Sequence, residues 1–286
     1  MAVALEDREL GRLATSDVYW DEITAIEPTG MKQVYDLTVP VTHNFVANDV
    51  CVHNTSFCLN VAAHAAIVED LPVAIFSLEM SMEQLVQRLI STEALVSLKT
   101  LRTGQASSEQ WKSVADACDR LRRAAIYIDD SGLLSVHEMR AKARRLKQQR
   151  DIGLLVVDYL QLMESGMRAE SRQQEITEIS RSLKALAKEL NIPVIALSQL
   201  SRGPEHRADQ RPRLADLRES GSLEQDSDLV LFLYRDEYYN PESTDKKGIA
   251  EIIVGKNRNG PTGMVELAFL ANFMRFENLD AFHSMP

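Results

Sequence analysis

From about residue 56 onward, short apolar runs of strand length alternate with longer segments of helical period. That alternation points to an α/β domain with a largely parallel sheet, because each strand returns to its neighbour through a covering helix. Strand-like runs fall at 72–78, 125–129, 153–158, 192–198 and 228–234, followed by a pair at 249–255 and 263–269. Between them, Ser81 with Gln84, Ser107 with Gln110 and Ser135 with Glu138 have the capping-box spacing that opens a helix. Residues 56–68 read as an Ala-rich helix, and residues 171–190 as a helix whose Ile176, Ile179, Leu183, Leu186 and Leu190 form a packing stripe. The 286 residues leave ample length for one full core in this region.

The first part of the chain has a different texture. Residues 18–26, 33–39 and 44–52 cluster β-branched and apolar residues between Gly, Asn and Asp turn signals, so they read as β-strands. They lead to Val50-Cys51-Val52-His53-Asn54-Thr55. An Asn side-chain amide can attack its own backbone carbonyl, closing a succinimide and breaking the peptide bond to the next residue. A neighbouring imidazole assists by hydrogen bonding the scissile carbonyl or protonating the leaving amine, and His53 is placed for that. The Thr55 hydroxyl is placed to accept an acyl group. Taken alone, His-Asn-Thr also fits a polar turn after a strand.

Together with the run from Val34 to Asp49, which includes His43, residues 50 to 55 resemble the two C-terminal motifs of inteins. The resemblance covers roughly residues 17–54. It implies that Asn54 is the cyclising residue, His53 its assisting histidine, His43 a further acid/base group and Thr55 the first residue of the flanking host protein. Nothing in the sequence matches the N-terminal half of that family, with its first splice nucleophile and Thr-x-x-His motif. The chain is therefore expected to need an N-terminal fragment in trans; a truncated reading frame is the other origin of such a sequence. The expected domains are 1–54, a small all-β intein fragment, and 55–286.

Ligands of open parallel sheets bind beyond the carboxyl ends of the strands, and polar residues sit there. Leu154-Leu155-Val156-Val157-Asp158 is an apolar run ending in an acid, an arrangement that can orient a magnesium ion and its waters. Glu79 comes after Phe76-Ser77-Leu78 and could polarise an attacking water, while Gln199 comes after Ile195-Ala196-Leu197-Ser198 and suits a phosphate-sensing amide. Taken singly, Glu79 and Gln199 fit solvated strand-to-helix turns. A Gly-x-x-x-x-Gly-Lys-Ser/Thr loop, which would cradle the phosphates, occurs nowhere in the chain.

Thr55-Ser56-Phe57-Cys58-Leu59-Asn60-Val61-Ala62 nevertheless resembles the segment immediately after the loop lysine in hexameric replicative helicases of the DnaB family. The likeness extends to about residue 277 through Phe76 to Ser81, Val157 to Met163, Ser198 to Arg202, Asp216 to Asp226 and Lys256 to Gly263. It implies a RecA-like P-loop ATPase core lacking its first strand and Gly-rich loop, interrupted by the intein between loop Lys and Thr55. It further implies ATP and Mg2+ as cofactors, with Thr55 and Asp158 toward the metal, Glu79 as catalytic base, Gln199 as γ-phosphate sensor, and Ser56 and Arg202 near the nucleotide. Lys256 and Arg258 resemble the pair that reaches the adjacent subunit's nucleotide. Their spacing of two puts both on one strand face, although an exposed charged strand before a turn reads the same way.

The chain carries 32 Lys and Arg against 42 Asp and Glu, a net charge of −10 that shows no broad basic footprint. A ring resolves this, because only channel loops need contact single-stranded DNA; the resemblance points to Arg218, Glu219 and Gly221, with Arg168 and Arg172 in a second loop. The basic run from Arg140 to Arg150 reads as the wet face of a helix. The same likeness implies a homo-hexamer, a primase and a helicase loader as partners.

Three cysteines without metal spacing suggest neither disulfides nor zinc, which suits a reducing cytoplasm. Glu6 and Asp7 stand where a signal peptide would be basic then apolar, and no run approaches membrane-spanning length. Two further readings stay open: a RecA-like recombinase or clock-type ATPase, and a non-enzymatic module that joins or poisons a ring if unspliced.

Overall fold

A computed structural model of the chain describes residues 53–132, 134–164, 171–200, 207 and 209–279. The chain divides into two units, Met1–Val50 and Cys51–Pro286, and all described residues belong to the second. The three strands expected before residue 53, together with His43, Arg168 and Arg202, lie outside the described residues, as do the side chains of His53, Arg218 and Glu219.

The first layer is a parallel sheet. Helix α1 (His53–Ile67) leads to β1 (Val73–Ser77), and α2 (Met82–Ala94), α3 (Leu98–Thr103) and α4 (Ser108–Arg123) cross to β2 (Ile126–Asp129). Helix α5 (Val136–Arg150) crosses to β3 (Leu154–Asp158), and α6 (Arg172–Leu190) to β4 (Val194–Ala196). The strand order is β2-β1-β3-β4, every pair parallel. All three capping boxes form: Ser81, Ser107 and Ser135 each accept from the backbone of the residue three positions on, whose side chain returns the bond.

Side-chain alternation on the strands splits the core into two halves. Ala74, Phe76, Leu155 and Val157 face α5 and α6, where Met139, Ala143, Ile179, Leu183 and Leu186 are buried. Val73, Ile75, Leu154 and Val156 face α1 and α2, against Leu59, Ala62, Ala63, Leu85 and Leu89. Each of the buried Val, Leu, Ile, Phe and Met side chains among them stabilises the fold by about 1.5–3 kcal/mol. The expected stripe on α6 is the one that packs.

The second layer differs from the expectation of a largely parallel sheet. After a short 3-10 turn, Leu214–Ser220, come α7 (Gly221–Asp226), β5 (Leu229–Tyr234), α8 (Asp236–Tyr239), β6 (Ile249–Asn257), β7 (Gly263–Leu270) and β8 (Arg275–Asn278). Strands β5-β6-β7-β8 form a separate antiparallel sheet in that order. Its register slips between Val230 and Leu231. At Gly255 on the partner strand, a Cβ would come within 2.5 Å of the Phe232 ring. Among the described residues β4 ends one sheet and β5 begins the other, with no hydrogen-bonded ladder between them. β5 is apolar throughout, yet Leu229 and Leu231 are 49% and 38% exposed.

β4 is shorter than the expected 192–198. Pro193 offers no N–H to a ladder, and the Ile192 N–H is taken by Ala187 O at the end of α6. The short β8 was not anticipated, and α1 starts earlier than expected, taking His53 and Asn54 into its first turn.

Candidate functional site

Parallel order places the carboxyl ends of β1, β3 and β4 side by side, with β3 in the middle and Ser77 in register with Asp158. Glu79, Asp158 and Gln199 consequently share one edge, with neighbouring strands about 4.8 Å apart. The Leu78 N–H donates to Asp158 O at 2.7 Å, tying the exit of β1 to that of β3. The peptide joining Asp158 to Tyr159 is cis.

At this edge α1 delivers Thr55. Its hydroxyl donates to Asp158 Oδ2 at 2.7 Å, and both residues are buried, at 3% and 4% exposure. Ser56, next in the helix, is buried as well. Asn60 sets the pose of α1: its Nδ2 donates to Ser56 O at 2.7 Å and to Met274 O at 3.0 Å, and its Oδ1 accepts from the Phe276 N–H at 3.0 Å. One amide thus fastens the site helix to the edge of the second sheet, aided by the Phe57–Phe276 edge-to-face contact.

The electrostatics show a site short of positive charge. Burial pushes the Asp158 carboxyl above its ordinary value, while the Thr55 hydrogen bond and the Arg88 guanidinium pull it back in part. Glu79, at the more open mouth, is raised first by desolvation and then by the charge of Asp158, again with Arg88 opposing. The Tyr159 phenol is raised by burial and by the same two carboxylates. Cys58, one helical turn behind Thr55, is pushed up to about 12 by burial and by Asp158, so it is an unreactive packing residue.

A hydroxyl and a carboxylate are hard oxygen donors of the kind Mg2+ takes, and a divalent cation would relieve the excess charge at Asp158. Thr55 and Asp158 therefore fit a magnesium site, and Glu79, on the same sheet edge, is close enough for the Asp158 charge to act on it. The positive groups a triphosphate would need are sparse. Position 54, where a phosphate-loop lysine would precede Thr55, holds Asn54.

Gln199 lies beyond β4, exposed, with its backbone held by the side chain of Gln161. Lys256 lies on β6 of the other sheet, and Arg258 in the turn just beyond that strand. Lys256 Nζ donates to the carbonyls of Glu224 and Gln225 and, at 2.8 Å, of Ser227. Arg258 donates to Gln225 O at 3.1 Å and pairs with Asp228 at 3.0 Å. Arg258 falls outside the strand, so the expected shared strand face does not form, yet both side chains reach one target, the C-terminal end of α7. Gly221 opens α7, directly after the turn that contains Arg218 and Glu219.

Arg172 does not sit in a loop. It opens α6 and is bonded to Glu175 and to the carbonyls of Gln161 and Met163. In the basic run of α5, Arg140 and Arg144 pair with Glu189 and Lys142 with Asp129, so that face ties α5 to α6 and β2.

Arg88, Asn60 and Gln161, which act on Asp158, α1 and the Gln199 backbone respectively, were not singled out from the sequence. Arg88 carried a signal: it lies three residues after Leu85 and one before Leu89, a charge within the buried stripe of α2, and is 7% exposed.

Residues 30–278 match the protein family described as the DnaB-like helicase C terminal domain. The chain is 51% identical over 263 residues to the replicative DNA helicase DnaB of Geobacillus stearothermophilus, covering 91% of this chain and 58% of that protein. It is 49% identical over 263 residues to the replicative DNA helicase DnaC of Bacillus subtilis, with the same coverage, so it spans less than two thirds of these relatives. Among solved structures, the ATPase domain of G40P superposes with a TM-score of 0.75 at 40% identity, covering 79% of this chain and 81% of that one. A DnaB-like replicative helicase described with its interactions with primase gives the same score and identity over 79% of this chain and 55% of its own. The fold, the shared edge of Thr55, Asp158 and Glu79, and these matches together establish that the chain belongs to the DnaB-like helicase C-terminal domain family.

Proposed function

We propose that this chain is the C-terminal part of an intein-interrupted replicative DNA helicase. In this reading residues 1–54 are the C-terminal piece of an intein, and residues from Thr55 onward become, after splicing, the motor of a hexameric ring. That ring hydrolyses ATP with Mg2+ and moves 5′ to 3′ on single-stranded DNA at replication forks. A primase and a loader are its expected partners, in keeping with the relative whose structure is described with primase.

The observation that carries the reading is the buried Thr55–Asp158 hydrogen bond with Asn54 as the preceding residue. The pair supports a half-site suited to magnesium and water, while the residue that should supply a lysine is an amide suited to cyclisation. Two open edges support the same view: β4 and β5 have no ladder between them and Leu229 and Leu231 are left exposed, as expected if a strand leading into the phosphate loop belongs there.

In the ring each residue has its own role. Thr55 and Asp158 would hold the metal, Glu79 takes a proton from the attacking water, Gln199 reports the γ-phosphate, and Ser56 and Arg202 line the nucleotide. Lys256 and Arg258 act on the neighbour's nucleotide, and Arg218, Glu219 and Gly221 track DNA phosphates. The boundary at Thr55 is tested directly by splicing.

That test is to mix the chain with an N-terminal polypeptide that carries the complementary splicing half and ends in the loop lysine, and to weigh the products by intact mass. Splicing gives a ligated product lacking residues 1–54, and Asn54→Ala blocks release. Cleavage that persists in Asn54→Ala refutes the cyclisation.

A further inference from the structure

We propose that Gln161 is a positioning residue for Gln199, clasping the exit of β4 to the exit of β3 so that the sensing amide is held beside Asp158. This rests on the reading of Gln199 as the γ-phosphate sensor. The β3–β4 ladder stops at Val157 with Ala196, so Gln199 lies three residues beyond regular pairing. Two backbone bonds continue part of the way: Leu197 N–H to Val157 O at 2.9 Å and Leu160 N–H to Leu197 O at 3.0 Å. From there the Gln161 side chain takes over. Its Nε2 donates to Ser198 Oγ at 2.9 Å and to Gln199 O at 3.3 Å, while its Oε1 accepts from the Gln199 N–H at 3.2 Å. A side-chain amide that exchanges both kinds of bond with one backbone residue imitates a strand partner, and it fixes the direction in which that residue's side chain leaves.

The clasp is anchored at its back. Gln161 lies in the short turn Leu160–Leu162, immediately after Asp158 and Tyr159. Arg172, the first residue of α6, donates to Gln161 O and, at 3.2 Å, to Met163 O. The metal-binding strand, the sensor and the start of α6 are thereby joined through one residue, its side-chain amide on Gln199 and its main-chain carbonyl on Arg172. Displacement of a positioned group by about 1 Å lowers rates on the order of 100-fold, so loosening this clasp should slow turnover without weakening nucleotide binding.

Two experiments test it. In the full chain, Gln161→Leu should speed amide hydrogen exchange at Gln199 at least about 10-fold while Leu197 is unchanged, because only the former loses its acceptor; unaltered exchange at Gln199 overturns the clasp. In the spliced product, Gln161→Leu should lower kcat for ATP about 10- to 100-fold with KM nearly constant. Gln161→Glu, which keeps the acceptor for the Gln199 N–H, should fall between, and Gln161→Leu should add nothing to the loss caused by Gln199→Ala. A loss confined to KM, or one that multiplies with that of Gln199→Ala, overturns the positioning role. An unsubstituted product that turns over no ATP overturns the ATPase reading itself, and the sensor role of the clasp with it.

Discussion

Asp158→Asn should make the nucleotide-free chain more stable while destroying the chemistry that Asp158 serves. The carboxylate is 4% exposed and receives the Thr55 hydroxyl at 2.7 Å. Taking an ion this far from water costs several kcal/mol; the charge-assisted bond from Thr55 returns about 1.5–3 kcal/mol, and Arg88 returns some of the rest. Asparagine keeps an oxygen in place for Thr55 and removes the charge, so the variant should gain roughly 1–2 kcal/mol near neutral pH. For a domain of this size that is a rise of about 2–8 °C in Tm.

The dependence on pH comes from the direction of the shift. Burial leaves the folded-state pKa of Asp158 above its unfolded value, so the folded chain holds that proton more tightly. Stability from this group is fully present below the unfolded value near 3.8 and is lost as pH rises through the raised folded pKa. The native chain should therefore lose stability relative to Asp158→Asn as pH rises toward neutrality. Glu79 reinforces the trend, because Asp158's charge is one cause of its own upward shift. Urea titrations of both chains between about pH 4.5 and 7.5 measure the difference, which should be largest at the top of that range. A less stable Asp158→Asn at neutral pH, or a difference that does not vary with pH, would refute the reasoning.

Other consequences are more local. Gly255→Ala places a Cβ 2.5 Å from the Phe232 ring at the register slip of β5 and β6, which should cost about 1–3 kcal/mol in chemical denaturation; an unchanged midpoint would mean that the ring moves freely. Arg211→Met strips the bidentate partner, at 2.7 and 2.8 Å, from Glu251, which is 1% exposed, and leaves Lys246 to balance it. A loss of about 3 kcal/mol is expected, and a neutral result would show that Lys246 suffices. In the spliced product, Arg258→Ala should abolish ATP turnover and leave nucleotide binding largely intact, since a finger of this kind contributes several powers of ten to hydrolysis. Near-normal turnover in a steady-state assay would remove Arg258 from that role.

What the sequence revealed tracked the range of the forces involved. The three Ser-to-Gln or Ser-to-Glu capping boxes were readable because both partners lie within one turn. The stripe on α6 was readable because burial repeats with the helical period, and β1 and β3 were readable as unbroken apolar runs of strand length, buried on both faces. The pairing of strands was not, because whether β5 bonds to β4 or to β6 is decided by segments far apart in sequence. β8 escaped because four residues with one apolar side chain give no periodicity.

In the site, Asp158, Glu79 and Gln199 stood out as polar residues at strand ends, and the sheet order then set them side by side. Gln161 lay within a recognised stretch, yet its bonds to Ser198 and Gln199 span 37 and 38 residues and leave no local trace. Lys256 lies on β6 and Arg258 in the turn just after it, and their common hold on the end of α7 depends on contacts some thirty residues back along the chain, which a spacing of two does not reveal.

The central claim is that residues from Thr55 onward hold the magnesium and water half of an ATPase site whose lysine loop must be joined covalently at Thr55. The most direct measurement is ATP hydrolysis by a chimera in which residues 1–54 are replaced by a strand and a Gly-x-x-x-x-Gly-Lys loop whose lysine is fused to Thr55. The account predicts Mg2+-dependent turnover in the chimera, no turnover in the present chain, and loss of turnover in the chimera on Glu79→Gln. A folded chimera without turnover, or hydrolysis by the present chain with Asn54 still before Thr55, would contradict it.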